Sequence, residues 1–225
     1  MLEKKNYLYY FLLFILFTGL TLYLNPSFDF TTNSLKHWST YHRDDIVFVY
    51  GTLIYNEGYE QHHLDHPSLF TFILSSLFYK IFYFIGFLDH YTLSGFIESK
   101  VDVNYSLSKL FFVSKFTILF FSLLTVFILY KIFFLLSSNK LHSFLLSFLF
   151  IFSTGFIASS NRLESGLLSL FLLVCSIYFF LRFINSKKKL NILFFVCAFI
   201  FLFSSMMQKK IIYFRIPFLL LSIIP

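Results

Sequence analysis

The stretch SLFTFILSSLFYKIFYFIGFL, residues 68–88, decides how the chain is threaded. It is apolar enough for a bilayer, yet it carries Ser75, Ser76 and Lys80. If it crosses, the basic run Arg182, Lys187, Lys188, Lys189 falls on the outer side. If it lies in the outer interface or re-enters, that run is cytoplasmic, together with Lys4, Lys5, Lys131 and Lys140. Dense Lys/Arg clusters in short loops favour the cytoplasmic side. The sequence therefore predicts that residues 68–88 do not cross. The acidic loop before them, Asn161-Arg162-Leu163-Glu164 and Lys209-Lys210 then share the outer side.

Composition sets the class. Of 225 residues 58% are hydrophobic, 13% are charged, and Phe (37) and Tyr (15) are in excess. A soluble domain of this size would expose far too much apolar surface. The expected fold is an all-α polytopic membrane protein with about six transmembrane helices, each needing roughly 20 apolar residues. The candidate spans are Tyr7–Leu24, Lys109–Leu136, Leu141–Ser159, Ser165–Phe183, Leu190–Met207 and an incomplete one from Ile211 to Pro225. The first resembles a signal peptide, but it has no small-residue cleavage pattern and reads as an uncleaved span. An end at SIIP would leave a carboxylate and unpaired carbonyls in hydrocarbon. That predicts a longer parent chain; the alternative is a short span reaching the far interface. One domain, 1–225, is expected, with residues 25–106 as an outer-face loop bearing interfacial helices.

The net charge of +7 would suggest nucleic acid in a soluble protein. Here the cations stand at span ends, where they orient spans and meet lipid headgroups, so no nucleic-acid partner is expected. Cys175 and Cys197 lie in apolar spans and read as small buried hydrophobes.

Nine of the eleven carboxylates and six of the seven histidines lie between Asp29 and Asp102. The densest part, residues 41–67, is YHRDDIVFVYGTLIYNEGYEQHHLDHP. Asp44–Gly58 has Ile46, Val49, Leu53 and Ile54 at helical spacing, and Gly58 suits a C-terminal cap. Asp44 or Asp45 then stands at a helix N-terminus, which favours an ionised carboxylate able to take a proton from a hydroxyl. The plain alternative is an N-cap. His62, His63, Asp65 and His66 have metal-ligand chemistry, but adjacent histidines rarely share an ion and no cysteine joins them. A His66-Pro67 turn into an interfacial segment is the better reading, with His66 a phosphate contact or a headgroup-level residue. No metal ligands are assigned, and a divalent metal stays open. Glu164 after Arg162 is either functional or an ordinary span-end carboxylate, and Lys209-Lys210 are either anchors or cations for a lipid phosphate.

The order of these features resembles the GT-C glycosyltransferases. The nearest branch is the dolichyl-phosphate-mannose–protein mannosyltransferase-like group, which includes the lipid A aminoarabinose transferases. The matching motifs are Arg43-Asp44-Asp45, Asn56-Glu57-Gly58, Asp65-His66-Pro67-Ser68-Leu69, Asn161-Arg162-Leu163-Glu164 and Met207-Gln208-Lys209. They correspond to the N-terminal part of such enzymes. Two acids depart mildly from the family pattern: Asp45 stands for Glu, and Glu164 for Asp.

The resemblance implies transfer of a sugar from a polyprenyl-phosphate carrier to a lipid, glycan or protein acceptor, on the outer face of the cell membrane. It implies Asp44 as catalytic base, with Asp45 and Glu164 orienting acceptor or sugar hydroxyls. It implies carrier-phosphate contacts at His66 and Lys209; Arg43 and Arg162 are further candidate phosphate partners because guanidinium suits a bidentate grip, and Asp65 is a candidate substrate contact. Tyr50 and Tyr59 would contact the sugar. Other classes compatible with the sequence are a lipid-linked-glycan flippase or transporter, and a non-catalytic remnant.

Overall fold

The computed structural model describes residues 6–24, 28–29, 34–37, 43–59, 69–98, 102–163, 165–185, 196 and 199–200. These are mostly helical. Eight helices follow in order: α1 (Asn6–Leu24), α2 (Arg43–Asn56), α3 (Leu69–Phe84), α4 (Leu93–Glu98), α5 (Val103–Ser137), α6 (Lys140–Ile151), α7 (Thr154–Ser160) and α8 (Ser165–Asn185). Between α1 and α2 two short strands, β1 (Phe28–Asp29) and β2 (Ser34–Leu35), pair antiparallel with Phe28 opposite Leu35.

Helix α5 is the axis of the bundle. Its 35 residues rise about 52 Å, against roughly 30 Å of hydrocarbon core. Asp102 caps its start by accepting from Asn104 N at 3.0 Å. Ser138, at φ 54°, ends it in the left-handed region, and Asn139 then caps α6 by accepting from Leu141 N and His142 N. This turn folds α5 and α6 into an antiparallel hairpin.

Ring contacts fix the other directions. Tyr9 lies 5.5 Å from Phe144, and Phe17 5.9 Å from Phe156, so α1 runs alongside α6 and against α5. Phe121 contacts Phe171, and Lys131 lies over Tyr178, so α8 runs with α5. The starts of α1 and α6 and the ends of α5 and α8 thus share one end of the bundle. The chain leaves α1 and enters α5 at the other end. The two ends of the segment between them therefore lie at the same end of the bundle.

Helix α3 packs lengthwise and antiparallel on the first half of α5, through Phe82 on Phe116 and Phe78 on Phe120. Its 16 residues reach about 24 Å, short of a full span. The buried face carries Thr71, Ser75, Ser76 and Tyr79, while Ile73, Leu77, Ile81 and Phe84 are exposed. That is the reverse of a water-soluble amphipathic helix and suits an apolar surround.

The helix interfaces repeat this pattern. Thr117, Ser122 and Thr125 on α5 are buried and donate to Val113 O, Ile118 O and Phe121 O, one turn back. Ser147 on α6 does the same to Ser143 O. Each hydroxyl is satisfied within its own helix, so the backbones can approach closely.

Among the described residues three helical segments are long and apolar enough to cross a membrane: Tyr7–Leu24, Val103–Ser137 and Gly166–Asn185. The expected span Leu141–Ser159 is divided instead into α6 and α7, bent by 65°; counted as one, it would be a fourth. Ser153 takes an extended backbone between them, and the following Thr154-Gly155 are weak helix formers. Most of Leu190–Met207, and all of Ile211–Pro225, lie outside the described residues.

Candidate functional site

The acidic helix packs at the end of the bundle where α5 begins. Helix α2 starts at Arg43, so Asp44 and Asp45 occupy its first turn. It ends where Gly58, at φ 78°, reverses the chain, with Gly58 N donating to Tyr55 O. One detail of the expected apolar stripe changes. Ile46 is exposed, and the buried residues are Asp45, Phe48, Val49, Thr52, Leu53 and Ile54. A carboxylate joins them because its charge is met inside.

Asp45 is 3% exposed and Lys115, on α5, 4%. Lys115 Nζ lies 3.1 Å from Asp45 Oδ2. Leu163 N donates to Asp45 Oδ1 at 2.8 Å, across 118 residues of chain. Lys115 also donates to Asn161 O, at the C-terminal end of α7. The carboxylate sits in the first turn of α2 and the ammonium at the end of α7, so each charge meets the favourable end of a helix dipole. Next to Lys115, the Ser114 hydroxyl pairs with Tyr79 at 2.6 Å, joining α3 to the same layer. Three parts of the chain converge here: α2, α5 and the 161–163 turn.

A second polar layer lies toward the C-terminal end of α2. Asn56 donates to Tyr91 O at 2.7 Å and accepts from the Ser76 hydroxyl. Glu57 Oε1 accepts from Ser94 N at 2.6 Å, in the first turn of α4. Lys109 pairs with Asp89 at 2.9 Å and lies over the Tyr105 ring. His90 is buried edge-on against Phe96, and its Nδ1 has no hydrogen-bond partner among the described residues. Burial pushes its imidazole below the ordinary range; Asp89 works against this and Lys109 with it.

The structure thus brings Asp45 to the Asn161–Leu163 segment, joining two of the motifs marked in the sequence. Asp44 stands beside Asp45 in the same turn, but its side chain and that of Arg43 lie outside the described residues. Tyr50 and Tyr59 are exposed, as is Arg162. Tyr50 is about 140° around α2 from Asp45, on a different face. Asp65, His66, Glu164 and Lys209 lie outside the described residues, as does the His62–His66 stretch weighed as a metal site. Among the described residues no three His, Cys, Asp or Glu side chains gather as metal ligands.

Sequence reasoning passed over Lys115. Its signal was a single ammonium, six residues past Lys109 and followed by apolar residues, inside a segment read as one span. Ionisable residues in such segments are costly and usually paired, which is reason to look for a buried carboxylate.

No family model, curated protein or solved structure matches this chain. The fold and the site define a mostly helical protein of membrane type, with a buried ion pair where three chain segments meet.

Proposed function

We propose that this chain is a multi-pass membrane glycosyltransferase of GT-C type, with about six spans and its acidic loop on the outer face of the cell membrane. In this reading a polyprenyl-phosphate sugar is the donor, and a lipid, glycan or protein hydroxyl the acceptor. The acceptor oxygen attacks the anomeric carbon from the face opposite the phosphate. Its O–H bond breaks, with the proton passing to the Asp44 carboxylate. The bond from the anomeric carbon to the phosphate oxygen breaks, the electron pair leaves with the phosphate, and the configuration inverts. Arg43, His66, Arg162 and Lys209 neutralise the departing phosphate; guanidinium suits a bidentate grip. Asp65, Tyr50, Tyr59 and Glu164 contact the sugar or acceptor. Asp45 has both carboxylate oxygens engaged, and its part is to position the turn that carries Asp44.

The observation that supports this reading is the 2.8 Å hydrogen bond from Leu163 N to Asp45 Oδ1. It joins the acidic-pair helix to the Arg162 segment at one end of the bundle, where a shared site requires them. The test is transfer from labelled polyprenyl-phosphate sugars by the reconstituted protein. Asp44→Asn should lower the rate about 10²–10⁴-fold while leaving the unfolding midpoint unchanged. An unchanged rate would remove Asp44 as the base, and no transfer by the parent from any carrier sugar would sink the reading.

A second reading is transport of a lipid-linked glycan. The buried Asp45–Lys115 pair and the 65° break between α6 and α7 favour it, since transporters use buried ionisable groups and broken helices. Movement of intact labelled glycolipid across a vesicle wall, without sugar transfer, would select it.

A further inference from the structure

The end of the bundle opposite Asp45 carries a second, differently built cluster. Tyr9 and Tyr10 come from α1, Tyr130 and Lys131 from α5, Tyr178 and Arg182 from α8. The Tyr130 ring lies edge-on to Tyr10 at 5.0 Å and stacks with Tyr9 at 6.3 Å. Lys131 Nζ and Arg182 Cζ each lie 5.9 Å from the centre of the Tyr178 ring. Both cations are exposed. Among the described residues neither has an ion-pair partner, and the carboxylates with described side chains (Asp45, Glu57, Asp89, Glu98 and Asp102) belong to the opposite end. Tyr130 is 1% exposed, and its hydroxyl has no hydrogen-bond partner among the described residues.

We propose that Lys131, Arg182 and Tyr178 form a binding site for the phosphate of an anionic phospholipid. Two cations on neighbouring helices, flanking one aromatic ring, give an anion a fixed position that scattered lysines do not. Guanidinium grips two phosphate oxygens, and ammonium adds a point charge. A soluble phosphate would be met by the same groups, but the surroundings favour a lipid. Lys131 and Arg182 stand in the last two turns of segments long and apolar enough to cross a membrane, where such cations meet lipid headgroups, and the exposed Leu136, Ile177 and Ile184 lie on the same two helices. Basic, aromatic-lined gaps between spanning helices suit acidic headgroups in this way. The site is independent of the sugar-transfer reading and stands or falls separately.

The experiment is lipid retention by the full chain in neutral detergent, read by native mass spectrometry with dioleoyl phosphatidylglycerol and dioleoyl phosphatidylcholine as probes. The parent should retain phosphatidylglycerol preferentially. Lys131→Gln with Arg182→Gln should lower that retention about thirtyfold. The charge-keeping pair Lys131→Arg with Arg182→Lys should retain most of it, which separates loss of charge from loss of fold. Lys140→Gln, which removes a cation near the same end away from Tyr178, should change it little. Equal retention by the double glutamine variant would overturn the site, and so would an equal loss in Lys140→Gln. Displacement of the lipid by millimolar inorganic phosphate would overturn the lipid assignment and leave a soluble-anion site.

Discussion

Lys115 Nζ stands 3.1 Å from Asp45 Oδ2, and both side chains are almost wholly withdrawn from solvent. Neither charge is tolerable there alone, and together they fasten α2 to α5. Asp45→Asn or Lys115→Met should each destabilise the protein by about 3–5 kcal/mol, the cost of stranding one buried charge. The double variant should recover most of that loss, because no unpaired charge remains. Thermal unfolding of all four proteins in one detergent gives the coupling energy. Strictly additive losses would show that the two residues are not coupled.

Asn56 spans the gap between α2, α3 and the turn after α3. Asn56→Ala removes the donor to Tyr91 O and the acceptor for Ser76. The expected loss is about 1–3 kcal/mol, since buried polar groups are left without partners. Asn56→Asp keeps an acceptor for Ser76 but sets a carboxylate oxygen against Tyr91 O, so its unfolding midpoint at neutral pH should fall at least as far as that of Asn56→Ala.

Gly51 sits where α2 crosses α3. A Cβ there would lie 2.9 Å from the Phe72 ring, which is itself buried against Phe48. Alanine elsewhere in a helix gains up to about 1 kcal/mol over glycine. Overpacking a well-filled contact costs about 1–3 kcal/mol. Gly51→Ala should therefore destabilise on balance, and pairing it with Phe72→Leu should restore part of the loss. A raised unfolding midpoint for Gly51→Ala alone would contradict the close contact.

His90 should make stability depend on pH. Its folded pKa lies below the unfolded value of 6.5, first through burial, with Lys109 reinforcing and Asp89 opposing. Below that value the unfolded chain takes up a proton that the folded chain refuses, so unfolding gains. The stabilising contribution is fully present above pH 6.5 and is lost as pH falls through the window beneath it. Unfolding midpoints between pH 7.5 and 5 should drop less steeply in His90→Gln than in the parent; identical slopes would assign the acid sensitivity to another group.

Much of the scaffold was legible in the chain. The apolar runs marked α1, α5 and α8, and Gly58 marked the end of α2, because helix periodicity and left-handed turns are local matters. The face of α2 was read almost correctly. Ile46 took the place of Asp45 on the buried side, since hydrophobicity alone cannot foresee a carboxylate entering a core. The division of 141–159 at Ser153 was missed because nothing there except Thr154-Gly155 weakens the helix, and the bend is set by packing of Phe156 against Phe17 and Phe150.

By itself the sequence determined the class: an apolar, Phe-rich helical chain whose carboxylates and histidines crowd into residues 29–102. It also weighed the basic clusters toward a path in which residues 68–88 do not cross. Tertiary structure decided which side chains meet. The Asp45–Lys115 pair, the Leu163 contact and the Lys131–Tyr178–Arg182 cluster each join parts of the chain far apart in sequence. Local periodicity says which side of a helix turns inward but not what waits there; that partner is chosen only when α1, α5 and α8 pack, and burial makes an unpaired charge too costly to leave.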